Sequence, residues 1–418
     1  MKVLRSASGL AILAMITLFF SNYWVRPLAD DYCLGANVQN FGMLGAISNY
    51  FITWSGDGAL IFVLVTLVGQ PLALIGTTGY AFVSFLVMSL AIIFLITDLL
   101  KGIVVSQKKS LTAAILLFIL FFVVSQYSAI LDRGYFANNF VTPKYFNLAI
   151  NSWSTVIIQY LFLPAICYRI FTNYIQDTKA RFISSFFAAL IVGTSGYSLS
   201  ATFFVLFFLR CKFKRENIVF PLLLSLFSAA SYFSKGARAR SEAIINEQSF
   251  SNGLTDVLHI SLRQFLRFAG LYFNSGILLA VISAVSLSLV IRISSDHSNL
   301  LLRKFISQTY FVVVAFGVNA LAEFFTYNAF WHLVFIKFMV FMQVVFGSLY
   351  LVSMRPKLGE KTLLYSIILT LLVSSGVAMN LKEKMTNSNS WQREVSIDSG
   401  IAERDSDWVR QCWDILQN

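Results

Sequence analysis

The sequence predicts an all-α polytopic membrane protein of about 11 transmembrane helices, with amphipathic interfacial helices in its outer loops. Composition is the first reason. Of 418 residues, 57% are hydrophobic, 12% are charged and 41 are Phe, whereas soluble domains carry about 25% charged residues. Mean hydropathy is +0.72. The second reason is that apolar runs of spanning length recur along the whole chain. The third is where the charge lies. The formal charge of +12 would suit nucleic acid, but Lys and Arg fall in short loops between apolar runs, where they set topology, so nucleic-acid binding is not expected.

A spanning helix needs about 20 apolar residues. The predicted spans are 7–24, 79–100, 111–129, 153–171, 182–194, 197–210, 217–233, 270–292, 305–322, 333–354 and 362–380. Lys2 and Arg5 precede the first run, and Asn22-Tyr23-Trp24 follows it without a small-x-small cleavage site, so it reads as an uncleaved signal anchor. The pair 182–194 and 197–210 is short and breaks at Gly193-Thr194-Ser195-Gly196, as two thin helices or a re-entrant hairpin.

Segment 57–75 decides the orientation. Gln70-Pro71 interrupts it, and a full span there would put Lys101, Lys108 and Lys109 outside. A half-inserted or in-plane helix puts them inside, together with Lys2/Arg5, Lys179/Arg181, Lys212/Lys214/Arg215, Arg303/Lys304 and Arg355/Lys357/Lys361. That choice satisfies the positive-inside bias throughout. It places the N-terminus in the cytoplasm and the C-terminus outside the inner membrane. The chain then reads as one transmembrane domain, 1–380, with a short outer tail, 381–418, in which a small helix over 402–416 is expected.

The outer loops hold the polar interest. In the first, 25–78, Val38, Phe41, Leu44, Ile47, Phe51 and Trp54 recur at helical spacing, which predicts an amphipathic helix in the interface. The second, 130–152, mixes aromatic and charged residues. The third, 234–269, opens on Lys235-Gly236-Ala237-Arg238-Ala239-Arg240 and closes on a helix with His259, Arg263 and Arg267 four apart.

Asp30 and Asp31 are the leading candidates for chemistry, because two adjacent carboxylates at a membrane edge are costly and lipid does not require them. Their side chains diverge, so one faces a reaction centre, where a raised pKa makes a general base. The plain alternative is a helix N-cap. Lys235, Arg238, Arg240, Arg263 and Arg267 run against the positive-inside bias and can clamp a phosphate; headgroup contact or pairing with Glu242, Glu247 and Asp256 is the alternative. Glu323, Tyr327, His332 and Lys337 form a polar group at the outer ends of late spans, with snorkelling the alternative for Lys337. Arg26, Tyr32, Trp54 and Asp57 complete the candidate substrate contacts, the aromatics as sugar platforms or members of an interfacial belt. His259, His297 and His332 are scattered and no Cys/His ligand spacing occurs, so no divalent metal is indicated. Cys33 and Cys412 fall on the outer side, where a disulfide can form.

Ala29-Asp30-Asp31-Tyr32 after the first span, then Tyr50-Phe51-Ile52-Thr53-Trp54-Ser55-Gly56, resembles bacterial GT-C glycosyltransferases of the O-antigen-modifying type. Ser234-Lys235-Gly236-Ala237-Arg238-Ala239-Arg240 is similar to a glycine-and-arginine segment in related membrane proteins. Two positions depart from the pattern. Asp57 stands where an Arg often follows Trp-Ser-Gly, and Lys235-Gly236-Ala237 replaces Pro-Gly-Asn.

The resemblance implies a GT-C-like fold, a polyprenyl (undecaprenyl) phosphate-sugar donor, a polysaccharide acceptor, an outer-face site and inverting transfer of a hexose such as glucose, with no cofactor required. In that scheme Asp30 or Asp31 is the base and the outer cations stabilise the departing lipid phosphate. The rival readings are a transporter or flippase of lipid-linked sugars, a polysaccharide polymerase or ligase, and a membrane partner without enzymatic activity.

Overall fold

The computed structural model describes residues 2–27, 30–103, 107–131, 154–176, 182–210, 218–238, 298–326, 333–354 and 362–396. Among them the fold is all helical, without a strand. Helix α1 is Lys2–Ser21, extended by a 3-10 turn at Asn22–Trp24. Helix α2 is Asp30–Thr53, interrupted at Gly42. Gly58–Ile75 forms α3, with a π turn at Val65–Gly69. Next come α4, Ala81–Leu100, and α5, Gln107–Leu131. Ser154–Ile157, the π turn Ile158–Phe162 and Leu163–Gln176 run together as α6. The shorter α7, Phe182–Gly193, α8, Tyr197–Arg210, and α9, Val219–Tyr232, follow. The last three are α10, Ser298–Thr326, α11, Leu333–Ser353, and α12, Thr362–Ser396.

Five of these helices are long and apolar enough to cross a membrane: α3, α4, α6, α10 and α11. Helices occupy ten of the eleven expected spans; the eleventh, 270–292, lies outside the described residues, as do loop 130–152, the His259–Arg267 helix and the expected helix at 402–416. Two segments differ from expectation. Gly58–Ile75 runs as helix through Gln70-Pro71, where an interruption was expected, and is long and apolar enough to cross a membrane. Pro71 does not stop it, because it occupies the first turn after the π turn, where a missing N–H and a fixed φ are tolerated. The second segment is the start of the tail, where 381–396 continues α12 without a break.

The expected amphipathic helix of the first loop is two helices. Gly42 has φ 68° and ψ 171°, a conformation that side-chain-bearing residues rarely adopt. The chain reverses there, and the Asn49 side-chain amide donates to Asn37 Oδ1 across the two arms at 2.7 Å. Asn37 precedes Gly42 and Asn49 follows it, so the two arms lie side by side as a helical hairpin. The single apolar stripe therefore does not persist. Val38, Ala46 and Tyr50 are buried, while Phe41, Leu44, Phe51 and Ile52 are exposed.

The core is packed aromatic and aliphatic side chains. Phe121 meets Phe338 edge-on at 5.2 Å between α5 and α11, and Tyr168 meets Phe311 at 4.9 Å between α6 and α10. Offset and T-shaped ring pairs of this kind add about 0.5–1.5 kcal/mol beyond the area they bury.

Candidate functional site

Asp31 lies in the first turn of α2 and is 0% exposed. Its carboxylate accepts hydrogen bonds from Tyr80 Oη at 2.8 Å, from the Thr155 backbone N–H at 3.0 Å and from Thr155 Oγ1. The Ser154 hydroxyl donates in turn to Tyr80 Oη at 3.2 Å. Asp31 thus caps the N-terminus of α6, satisfying one of the N–H groups that every helix start leaves open. Donors of this kind offset the loss of water that burial imposes on a carboxyl group. Burial, and then the Asp31 charge, push the neighbouring Tyr32 phenol well above the usual tyrosine range, while Arg26 acts in the opposite direction. Arg26 itself donates to the carbonyls of Tyr23 at 2.7 Å and Val25 at 3.3 Å, fixing the turn that leads from α1 to α2.

A second network forms where the hairpin leaves α2. Asp57 accepts from Ser55 Oγ at 2.8 Å and from Ser231 Oγ at 2.5 Å. It does not cap α3 with its side chain. That role falls to Thr194 in the α7–α8 turn, whose carbonyl accepts from Ala59 N at 3.1 Å and Leu60 N at 3.3 Å. Trp54 packs edge-on against Tyr50 at 5.7 Å.

The two motif segments singled out in the sequence interlock here. A Cβ added at Gly56 would sit 2.5 Å from Ser234 Cβ, and closer still to Ser234 Oγ and the Ser231 carbonyl. One added at Gly236 would sit 2.6 Å from the Phe51 carbonyl oxygen and 2.8 Å from Ser55 N. Only glycine admits backbone this near. Ser234 Oγ accepts from Ala237 N at 3.2 Å and starts the helical turn that carries Lys235 and Arg238, both exposed. That turn sits against the end of the hairpin's second arm, at Phe51 and Ser55.

The remaining candidates divide as follows. Lys337 is half-buried in α11, next to buried Ile336 and Phe338. Asp30 opens α2 and Glu323 lies within α10, and the side-chain description extends to neither. Arg240, Arg263, Arg267, Tyr327, His332 and Cys412 lie outside the described residues. Cys33 is buried and disulfide-bonded; Cys167, in α6, is a free thiol. Among the described residues no group of His, Cys, Asp or Glu is placed to hold a metal ion.

Sequence reasoning passed over Tyr80, Ser154 and Thr155, which hold Asp31, and Lys384, which was assigned to the polar tail. Lys384 is 3% exposed in α12. Its ammonium donates to Ser21 Oγ and Asn22 Oδ1, each at 3.1 Å, and lies 5.5 Å over the Phe85 ring. A cation there suits the negative end of α1. Its distance of four residues past an apolar run was the one signal available. Asp98, the other acid near a span, pairs with Arg169 Nε at 2.9 Å.

Comparison with protein-family models, characterised proteins and solved structures found no match.

Proposed function

We propose that this protein is a membrane glycosyltransferase that moves a sugar from a polyprenyl-phosphate donor to a hydroxyl of a surface polysaccharide. The interlock of 51–57 with 231–238 carries the reading, because it sets the turn of two cations against the second arm of the hairpin that Asp30-Asp31 opens. The disulfide at Cys33 supports an outer-face location for the start of that hairpin, since disulfides persist in oxidising compartments. An N-terminus in the cytoplasm then follows from α1 crossing once.

In this mechanism a carboxylate of the 30–31 pair takes the proton of the acceptor hydroxyl. The acceptor oxygen attacks the anomeric carbon opposite the phosphate, which inverts the configuration. Lys235 and Arg238, joined by Arg240, Arg263 and Arg267, stabilise the departing lipid phosphate. Further proposed substrate contacts are Arg26, Trp54, Asp57, Glu323, Tyr327, His332 and Lys337; Tyr32 is buried and acts only behind them.

The test is incubation of the purified protein in lipid nanodiscs with polyprenyl-phosphate-glucose and an acceptor glycan. Transfer that falls in Lys235→Ala and Arg238→Ala supports the proposal. Movement of the lipid-linked sugar across vesicles without any transfer assigns the protein to the flippase class instead.

A further inference from the structure

The Asp31 network has a second end. A cavity lined by Asn22, Val25, Ser84, Phe85, Ser154 and Ile157, among others, lies between α1, α4 and α6. Its empty volume is about 260 Å³ including its open side, and its enclosed part holds about one water-sized group. The walls are mostly apolar, with three polar side chains. Asn22 already gives its amide N–H groups to the carbonyls of Leu18 and Phe19 at 2.9 and 3.2 Å. Ser84 gives its proton to the Leu67 carbonyl, and Ser154 gives its proton to Tyr80. Asn22 Oδ1 already accepts from Lys384, so what the walls still offer are chiefly the lone pairs of Ser84 and Ser154, and the cavity suits a small donor, meaning a hydroxyl group.

The hydrogen bonds from Ser154 to Tyr80 and from Tyr80 to Asp31 run in one direction, and they end on a carboxylate that nothing from solvent can touch. We propose that Ser154 and Tyr80 form a proton relay that delivers the basicity of buried Asp31 to a hydroxyl seated in this cavity. The inference rests on the glycosyl-transfer reading and deepens it, because it says how an acid 0% exposed serves as the base. The hydroxyl proton passes to Ser154 Oγ as the Ser154 proton passes to Tyr80 Oη and the Tyr80 proton to the Asp31 carboxylate. The electron pair freed on the hydroxyl oxygen forms the new bond to the anomeric carbon. The bond from that carbon to the phosphate oxygen breaks, and its pair leaves with the lipid phosphate. Asp31 afterwards returns its proton along the same chain to water that enters the cavity once product has left.

The hydroxyl belongs to the acceptor glycan or to water, and two assay arms separate them: transfer with acceptor present, and donor hydrolysis with acceptor absent. In the transfer arm Ser154→Ala and Tyr80→Phe are expected to lower kcat by about 10²-fold or more. Tyr80→Phe should leave KM nearly unchanged, and Ser154→Thr, which keeps the hydroxyl, should restore the rate. The wild type should show a solvent deuterium isotope effect whose proton inventory curves, as expected for several protons in flight, and Ser154→Ala should lose that curvature. The wild-type inventory and Ser154→Ala decide the matter if Tyr80→Phe does not fold.

Wild-type kcat in both Ser154→Ala and Tyr80→Phe would overturn the relay while leaving the transferase reading intact. Loss confined to hydrolysis would assign the cavity to water and overturn the placement of the acceptor in it. A wild-type protein that neither transfers nor hydrolyses the donor would remove the transferase reading itself, and the relay with it.

Discussion

Gly56→Ala tests whether the two interlocked segments must stay in register. The added Cβ would begin 2.5 Å from Ser234 Cβ and nearer still to Ser234 Oγ and the Ser231 carbonyl. Ordinary carbon contact starts at about 3.5 Å, so the segments must part by about 1 Å. The Ser231 carbonyl is backbone and cannot rotate away, so the strain falls on the junction itself. Overpacking of this kind costs about 1–3 kcal/mol. The same 1 Å moves Lys235 and Arg238 relative to the hairpin end, a misplacement that can cost about 10²-fold in rate. The expected outcome is a modest loss of thermal stability and a large loss of transfer in nanodiscs. Ser234→Gly in the Gly56→Ala background removes two of the three clashing atoms and should restore part of both. Gly9→Ala is the control, because a Cβ at Gly9 meets nothing within 4 Å. Full activity and stability in Gly56→Ala would refute the reasoning, since the contact would then be one the fold does not need.

Three further outcomes follow from other parts of the structure. Asn22→Leu is expected to destabilise by about 3–5 kcal/mol because it strips a partner from a buried ammonium, whereas Lys384→Met removes the charge and should cost far less; denaturant unfolding in detergent checks this, and an Asn22→Leu/Lys384→Met double variant should recover stability over Asn22→Leu alone. Non-reducing peptide mapping is expected to find Cys33 joined to Cys412, and a Cys33–Cys211 peptide would refute that pairing. Tyr32 keeps its proton in the folded state after unfolded chains have lost theirs, so its contribution is complete below about pH 10 and falls by up to about 1.4 kcal/mol per pH unit above it. Tyr32→Phe should flatten that alkaline loss of stability.

The helices were legible because spanning length and apolarity are properties of local sequence. The interruption expected at Gln70-Pro71 is absent because a proline's effect depends on where in the helix it falls. The hairpin at Gly42 was hidden because Val38, Phe41, Leu44, Ile47 and Phe51 keep helical spacing straight through the turn. At the site, Asp31 stood out as a charge in the wrong place, and so did the Lys235–Arg240 run. Tyr80, Ser154 and Thr155 did not. A tyrosine before an apolar run and a Ser-Thr pair opening another are ordinary residues, and only the fold brings them to one carboxylate 124 positions away from Thr155.

Helix α12 has 35 residues and so measures about 52 Å at the usual rise. The hydrocarbon layer is about 30 Å thick. Lys384 ties the helix to the end of α1, so its register against α1 is fixed. The turns from Lys384 to Ser396 therefore project about 18 Å beyond that tie as a mast of fixed length. Inserting or deleting whole turns after Lys384 would lengthen or shorten that mast by about 5.4 Å each.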